Sequence, residues 1–246
     1  MTNQSPPTQL SQQGSAMIYI FMAIAAFAAL SFAVANIMRS GNADPNREVM
    51  QLQSTDVVQY ADSLKRAVHG MQIRGVEDSR ISFESPVLSG YAPHASCSSD
   101  DCRVFQAAGG GGSYIPPPSD WLDSAGVGDP LYGRWFFPAG VCVQDVGSGG
   151  AGCESDGLDN EELVAILPWV RRDLCIQLNE RLGILNPAGS PPNATAAAWS
   201  AGNTRFTGTF SEEAIIARPG AMAGCLRGAG TPPTNSYFYY RVLLAR

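Results

Sequence analysis

The hydrophobic pattern is dominated by one apolar run near the start of the chain. Residues 16–38 are 23 side chains without a charge, and the first charged residue of the sequence is Arg39. A helix of that length is about 35 Å long at 1.5 Å per residue. This length is sufficient to cross a bilayer hydrocarbon core of about 30 Å. The pattern therefore predicts a membrane-spanning helix over residues 15–38.

A second helical pattern follows a break at residues 40–45, where Gly41 and Pro45 interrupt the apolar run. Apolar residues then recur mostly three and four positions apart, which predicts an amphipathic helix over residues 46–73. We expect its apolar face to pack on a downstream domain. The residues assigned to that face are Val49, Leu52, Val57, Tyr60, Leu64, Val68 and Met71.

Shorter patterns further along the chain indicate strands. Residues 81–83 predict a short strand, and residues 135–143, with Pro138-Ala139-Gly140 between two apolar triplets, are typical of a hairpin. Alternation over residues 204–210 predicts another strand. Residues 237–245 carry the strongest strand pattern in the sequence.

An acidic segment precedes the apolar run at residues 163–167. Asp159 suits a helix N-cap, and Glu162 stands three residues later, as in a capping box. We therefore expect a helix that begins there, kinks at Pro168 and ends before Gly183.

These patterns together predict an α+β protein with four segments. They are a leader (1–14), a transmembrane helix (15–38), a broken amphipathic helix (39–75) and a globular domain (76–246) with a mainly antiparallel sheet and one or two helices. The net charge of −6 argues against nucleic acid as a partner, because nucleic acid selects for basic surfaces.

Six cysteines all follow the apolar run. An even number in a chain of this kind favours disulfides and an oxidising compartment. Proximity in sequence favours the pairs 97–102 and 142–153, which leaves 175–225. A zinc site is the alternative, because His94, Cys97 and Cys102 have plausible ligand spacing. The cysteines are Cys97, Cys102, Cys142, Cys153, Cys175 and Cys225.

The first fourteen residues, MTNQSPPTQLSQQG, are polar and uncharged and end in Gly14 directly before the apolar helix. A polar leader ending in glycine, followed at once by a long apolar helix, resembles the class III signal of type IV pilins and pseudopilins. The resemblance covers roughly residues 1–70. It implies cleavage by a prepilin peptidase between Gly14 and Ser15, with Ser15 as the N-methylated new terminus. Tyr19 stands where the family usually has glutamate.

The resemblance further implies a minor pilin- or pseudopilin-like subunit of an envelope filament, in a type IV pilus or a type II secretion-like system. Its partners would be membrane lipid, other pilin-like subunits and the assembly machinery. Eight alanines among residues 16–38, Ala25 and Ala29 included, would permit close helix packing. Some pseudopilins bind calcium, and Asp156, Asp159 and Glu161 are the weak candidates here. No cofactor is expected.

Two other interpretations of the apolar run remain open. It can be a permanent single-span anchor for a domain that binds a ligand or partner outside the cytosol. It can also be a secretory signal cut after Ala33-Val34-Ala35, which would release a mature chain starting at Asn36. The filament interpretation places the protein in a bacterial inner membrane with a single span, and its domain in the periplasm or on the cell surface.

Catalytic motifs are not evident. The sequence contains only two histidines, His69 and His94, and neither a G-x-S-x-G nor an H-E-x-x-H motif. A hydrolase that uses only carboxylates is the one enzyme class left open. We therefore expect a structural protein.

Overall fold

The computed structural model describes residues 15–40, 45–88, 91, 94–147, 161–194, 205–210, 214–218, 220–230, 233 and 235–246. The chain divides into two compact units, residues 1–48 and 49–246. The described helices are α1 (Ser15–Ser40), α2 (Pro45–Ile73) and α3 (Arg172–Leu182). The described strands are β1 (Val141–Val143), β2 (Leu163–Leu167), β3 (Ala214–Ile216), β4 (Ala223–Arg227) and β5 (Tyr237–Leu244).

Helix α1 is the apolar helix that the sequence predicts. Every side chain from Met17 to Asn36 is exposed, so the helix contributes nothing to the protein core. Its length and composition suit a membrane span, although a signal sequence near the N-terminus meets the same criteria. The apolar surface of α1 is therefore not covered by the rest of the described chain.

Helix α2 begins at Pro45, a residue favoured in the first helical turn because it lacks an N–H group. Its buried face consists of Val57, Ala61, Leu64, Val68 and Met71. An ion pair of 2.6 Å joins Asp62 on this helix to Arg241 on β5. Helix α2 therefore packs on the sheet.

The expected apolar face of α2 was wrong at its first turns. Val49 and Leu52 are 46% and 66% exposed. The five residues from Leu52 to Val57 amount to about 500° of helical rotation, which places Leu52 some 140° away from the buried stripe. The periodicity predicted a single apolar face along α2, whereas Val49 and Leu52 lie on a different face from the buried residues.

The main sheet has three antiparallel strands in the order β2-β5-β4. The central strand, β5, pairs Tyr239 with Leu167 on one side and with Cys225 on the other. The predicted strand at residues 237–245 is therefore present as β5, one residue shorter. A second, two-stranded sheet pairs β1 with β3 in parallel.

Residues 136–141 do not form the predicted hairpin. They run in one direction along the outer edge of β2, where Phe136 and Ile166 exchange two backbone hydrogen bonds of 2.8 and 2.7 Å. Further along, Val164 N–H donates to the Pro138 carbonyl over 2.9 Å. A proline lacks only the N–H group, so its carbonyl still pairs with a neighbouring strand. Pro138 is thus an edge residue and not a turn.

Both faces of the sheet are covered. One face packs against α2 and α3 through Leu163, Ala165, Leu167, Tyr239 and Leu243. The other packs against β1 and its surroundings through Val164, Ile166, Phe238, Tyr240 and Val242. Because both faces are buried, these strands are apolar at nearly every position and do not alternate.

This double burial explains why the predicted helix start at residues 159–167 was wrong. The apolar run at 163–167 is strand β2, and α3 begins only at Arg172. A short continuous apolar run fits a buried strand and a buried helix equally well. The predicted helix end was right, because Gly183 adopts the left-handed conformation (φ 72°) after Leu182.

Two further expected strands are reduced to isolated bridges, Ser82 with Arg103 and Arg205 with Pro138. Residue 204 lies outside the described residues. Strand β4, which no pattern indicated, includes the sequence Ala-Gly-Cys, which has low strand propensity. The buried side chain of Asn179 on α3 stabilises it by exchanging two 2.8 Å hydrogen bonds with the backbone of Cys225. The amide thus takes the place of a neighbouring strand at this edge.

Disulfide bonds join Cys97 to Cys102, a pair that proximity in sequence favoured, and Cys175 to Cys225, the pair that was left over. The second bond ties α3 to β4. Cys142 is also disulfide-bonded, and Cys153, its expected partner, lies outside the described residues. Such bonds point to an oxidising compartment for the domain.

Candidate functional sites

The surface of α1 is the first candidate site. Tyr19 is 68% exposed, and Ala25 and Ala29, one helical turn apart, lie on the same face. Ser15 is the first residue of the helix, and Gly14 lies outside the described residues. This surface is uncharged over five turns, so it suits lipid or another apolar helix and not water.

The second candidate is a groove along α2 that no sequence pattern indicated. It encloses about 590 Å³ between α2 and the segment 115–121. Tyr60, Ile115, Pro118 and Trp121 supply its apolar part, and the polar groups come from α2. The lining residues are Asp56, Gln59, Tyr60, Ser63, Arg66, Ile115, Pro118 and Trp121.

Hydrogen bonds hold the groove open. The Tyr60 hydroxyl accepts from the Ile115 N–H over 2.9 Å and donates to the Ser113 carbonyl over 3.3 Å. Gln53 donates to the Asp120 carboxylate over 2.6 Å at the other end of the segment. Burial raises the pKa of Tyr60 well above its ordinary value, so the hydroxyl keeps its proton and both bonds. These bonds fix the segment 115–121 against α2 at both ends of the groove.

The zinc alternative at residues 94–102 is wrong. Cys97 and Cys102 are bonded to each other and have no thiolate to offer a metal. A ring nitrogen of His94 lies 2.9 Å from the Ile81 carbonyl. Among the described residues, no group of three or more histidine, cysteine, aspartate or glutamate side chains has the geometry to hold a metal ion.

The calcium candidates are only partly within the described residues. Asp156 and Asp159 lie outside them, whereas Glu161 is buried and its Oε2 has no hydrogen-bond partner. Glu161 and Glu162 are consecutive residues immediately before β2, and Glu162 is bridged to Val141 as a strand residue would be, so the two side chains point to opposite sides. The two carboxylates therefore do not converge on one ion.

Glu162 does not cap a helix, contrary to the sequence prediction. It is fully buried, and its Oε2 accepts a 2.7 Å hydrogen bond from the Val143 N–H of β1. Burial raises its pKa to about 7, and the hydrogen bond from Val143 opposes that rise only in part. The carboxyl group thus stabilises β1 against β2 and changes its charge near neutral pH.

This raised pKa predicts how stability depends on pH. The folded protein holds a proton on Glu162 that the unfolded chain, with an ordinary glutamate pKa near 4.5, releases. The free energy of unfolding should therefore fall as pH rises from about 4.5 through 7, by at most about 3 kcal/mol, and then level off. The measurement is urea unfolding at pH 5, 6, 7 and 8.

The Glu162→Gln variant isolates this effect, because glutamine keeps the acceptor for Val143 and cannot ionise. It should match the wild type at pH 5 and exceed it at pH 8. Glu161→Gln is the control, since it leaves the Glu162 carboxyl group buried and removes only the smallest cause of its raised pKa, so most of the dependence should remain. An equally steep pH profile in Glu162→Gln would assign the effect to another group.

The histidines and the acidic pair at 100–101 have structural surroundings. His69 is exposed on α2, and His94 contacts the Ile81 carbonyl. Asp100 pairs with Arg103 over 2.7 Å, and Asp101 lies 3.6 Å from Arg80. These contacts bind loops together at the surface.

The chain matches no protein-family model, no curated protein and no solved structure. The function must therefore be argued from the chain's own residues.

Proposed function

We propose that the protein is a minor pilin- or pseudopilin-like subunit of an envelope filament in a bacterial inner membrane. The observation that carries the proposal is α1, an exposed helix without a charge before Arg39, which begins immediately after Gly14 at the end of a polar leader. The packing of α2 on an antiparallel sheet supports it, since the outer half of the long helix packs this way in pilin-like proteins.

The role of such a subunit is mechanical. The apolar helix is stored in the bilayer and then withdrawn to pack among the helices of neighbouring subunits. Lipid and apolar helices solvate the same side chains equally well, so the transfer carries little hydrophobic cost. The alanines at 25 and 29 leave room for close approach, and the disulfide-bonded domain faces outward.

Leader processing tests this function. Intact-mass analysis of protein purified from its native membrane should give a chain lacking residues 1–14 and carrying one extra methyl group. Gly14→Val should retain the full leader, because valine at the cut site obstructs the peptidase. The control Gln12→Val adds the same side chain two residues earlier and should be processed normally. A wild-type mass that starts at Met1, or at Asn36, would overturn the proposal.

The groove along α2 favours a second candidate. A preformed, mostly apolar cavity of about 590 Å³ suits a domain that binds a ligand or partner while anchored by α1. The same mass measurement separates the two, because a permanent anchor keeps Met1 and responds to neither leader substitution.

A further inference from the structure

Helix α2 carries a second stripe of residues that the domain leaves uncovered. The residues recur at alternating steps of three and four along the full length of the helix, which is the spacing of a coiled-coil seam. Seven of the eight are exposed and Gly70 is partly exposed. The stripe consists of Val49, Leu52, Asp56, Gln59, Ser63, Arg66, Gly70 and Ile73.

The apolar residues of this stripe lie at its two ends. Val49 and Leu52 are 46% and 66% exposed at one end, and Ile73 is 74% exposed at the other. The stripe is about 36 Å long at 1.5 Å per residue. These exposed aliphatic side chains occupy coiled-coil positions at both ends of the stripe, where a second helix packed along it would cover them.

The stripe carries one acidic and one basic residue, which are too far apart to form an ion pair with each other. Asp56 and Arg66 lie ten residues apart, about 15 Å along the helix. Within the described part of the chain, neither has an ion-pair partner. The acid and the base are therefore both available to a second molecule.

The stripe is symmetric about Ala61. Gln59 and Ser63 lie two residues to either side of it, and Asp56 and Arg66 lie five. The outer positions follow the same rule, at nine residues for Leu52 and Gly70 and at twelve for Val49 and Ile73. A twofold axis at the level of Ala61, on the exposed face of the helix opposite its buried side chain, would therefore place each residue opposite its counterpart in a second, antiparallel copy.

We propose that two copies of this chain associate through antiparallel α2 helices, with the Asp56 carboxylate of each copy paired with the Arg66 guanidinium of the other. In this arrangement Val49 meets the partner's Ile73, and Leu52 packs over the partner's Gly70, which has no side chain to obstruct it. The middle residues of the stripe also form one wall of the groove, which receives part of the partner helix. Exposed Ile115, at 54%, then gains cover.

The charges also exclude the parallel arrangement. In a parallel, in-register pair each Asp56 would face Asp56 and each Arg66 would face Arg66, which is repulsive. Only the antiparallel pair turns both positions into attractive contacts. The pairing rests on the residues of α2 and not on the filament proposal. Subunits of a polar filament all point the same way, so this antiparallel contact belongs to the protein before assembly and would be absent from the filament.

Charge reversal tests the pairing on the full-length protein in detergent. Sedimentation velocity should show a monomer–dimer equilibrium at micromolar concentration that weakens as salt rises from 50 to 500 mM. Asp56→Arg places arginine opposite arginine twice, and Arg66→Asp places aspartate opposite aspartate twice. Each single variant should weaken dimerisation by about 30-fold, which is about 2 kcal/mol over two exposed pairs.

Two combinations of the variants should restore dimerisation, and they distinguish the antiparallel geometry from others. The double variant Asp56→Arg/Arg66→Asp should dimerise as the wild type does, because both pairs are attractive again. An equal mixture of the two single variants should also form dimers, since each supplies the charges that the other lacks. Thermal unfolding at concentrations where all variants are monomeric should be unchanged, because both side chains are exposed in the monomer.

Several results would overturn the proposal. A wild-type protein that stays monomeric at 100 µM would show that the stripe does not bind a second copy of this chain. Dimers that resist both single reversals would assign the association to α1. A mixture of single variants that stays monomeric would exclude the antiparallel register. None of these results bears on leader cleavage, so the two proposals fail separately.

Discussion

Replacing both Cys175 and Cys225 with alanine is expected to lower the free energy of unfolding by about 4 kcal/mol. The bond closes a loop of 50 residues, and a loop of that length loses about this much entropy in the unfolded chain when it is cross-linked. Within the fold it also fixes α3 against β4, whose edge depends on the buried Asn179 amide. Denaturant unfolding followed by tryptophan fluorescence measures the loss.

The pair Cys97 and Cys102 supplies a matched control. Both sulfurs are buried, as in the other bond, but the loop spans only five residues, so the same substitution should cost about 2 kcal/mol. Equal losses in the two double variants would show that cavity formation, and not loop closure, accounts for the effect.

The second large effect is expected at Gly109, where alanine should cost about 3 kcal/mol or more. A methyl group there would lie 2.0 Å from the Arg103 carbonyl oxygen and 2.6 Å from that of Asp100. Both obstacles are backbone atoms that cannot rotate away. The neighbouring Gly110 N–H donates to the same Arg103 carbonyl over 2.9 Å, so the backbone cannot retreat without breaking that bond.

Gly111→Ala separates close packing from backbone strain in this loop. Gly111 has a φ of 67° but nothing within 4 Å of its missing methyl group, so alanine there should cost only about 1 kcal/mol. Thermal unfolding of the two variants gives the comparison. If Gly111→Ala proved the more damaging, the left-handed conformation would matter more than the contact with Arg103.

The sequence predicted correctly those elements whose residues keep one pattern of burial or exposure along their whole length. Helix α1 is apolar throughout, the inner stripe of α2 recurs from Val57 to Met71, and β5 is a long run of strand formers. Each of these patterns is several times longer than the one or two residues by which the ends of an element are uncertain. Their boundaries were therefore recovered to within one or two residues.

The wrong predictions of secondary structure share a physical cause. In each case contacts with residues distant in sequence determined the structure of the segment. Residues 163–167 are apolar enough for a helix but become a strand because β5 pairs with them. Strand β4 has weak strand propensity and depends on Asn179, some 46 residues earlier. Pro138 looked like a turn and lies on a strand edge.

The candidate sites divide in the same way. The leader and α1 are contiguous in sequence, so their features could be identified directly. The groove could not be, because it joins α2 to residues 115–121 through the Tyr60 hydroxyl. The stripe from Val49 to Ile73 is visible in the sequence, but only the structure distinguishes it from the stripe that packs on the sheet.

The position of β5 has a consequence for how the protein is made. The strand at the centre of the main sheet is the last of the described strands in the chain, and it lies between β2 and β4, which do not pair with each other. The sheet therefore cannot form before residues 237–244 are available, whatever the speed of synthesis. Until then the edges of β2 and β4 that face β5 are unpaired and vulnerable to aggregation. A chaperone that shields them would act on the nascent chain and not on the finished fold.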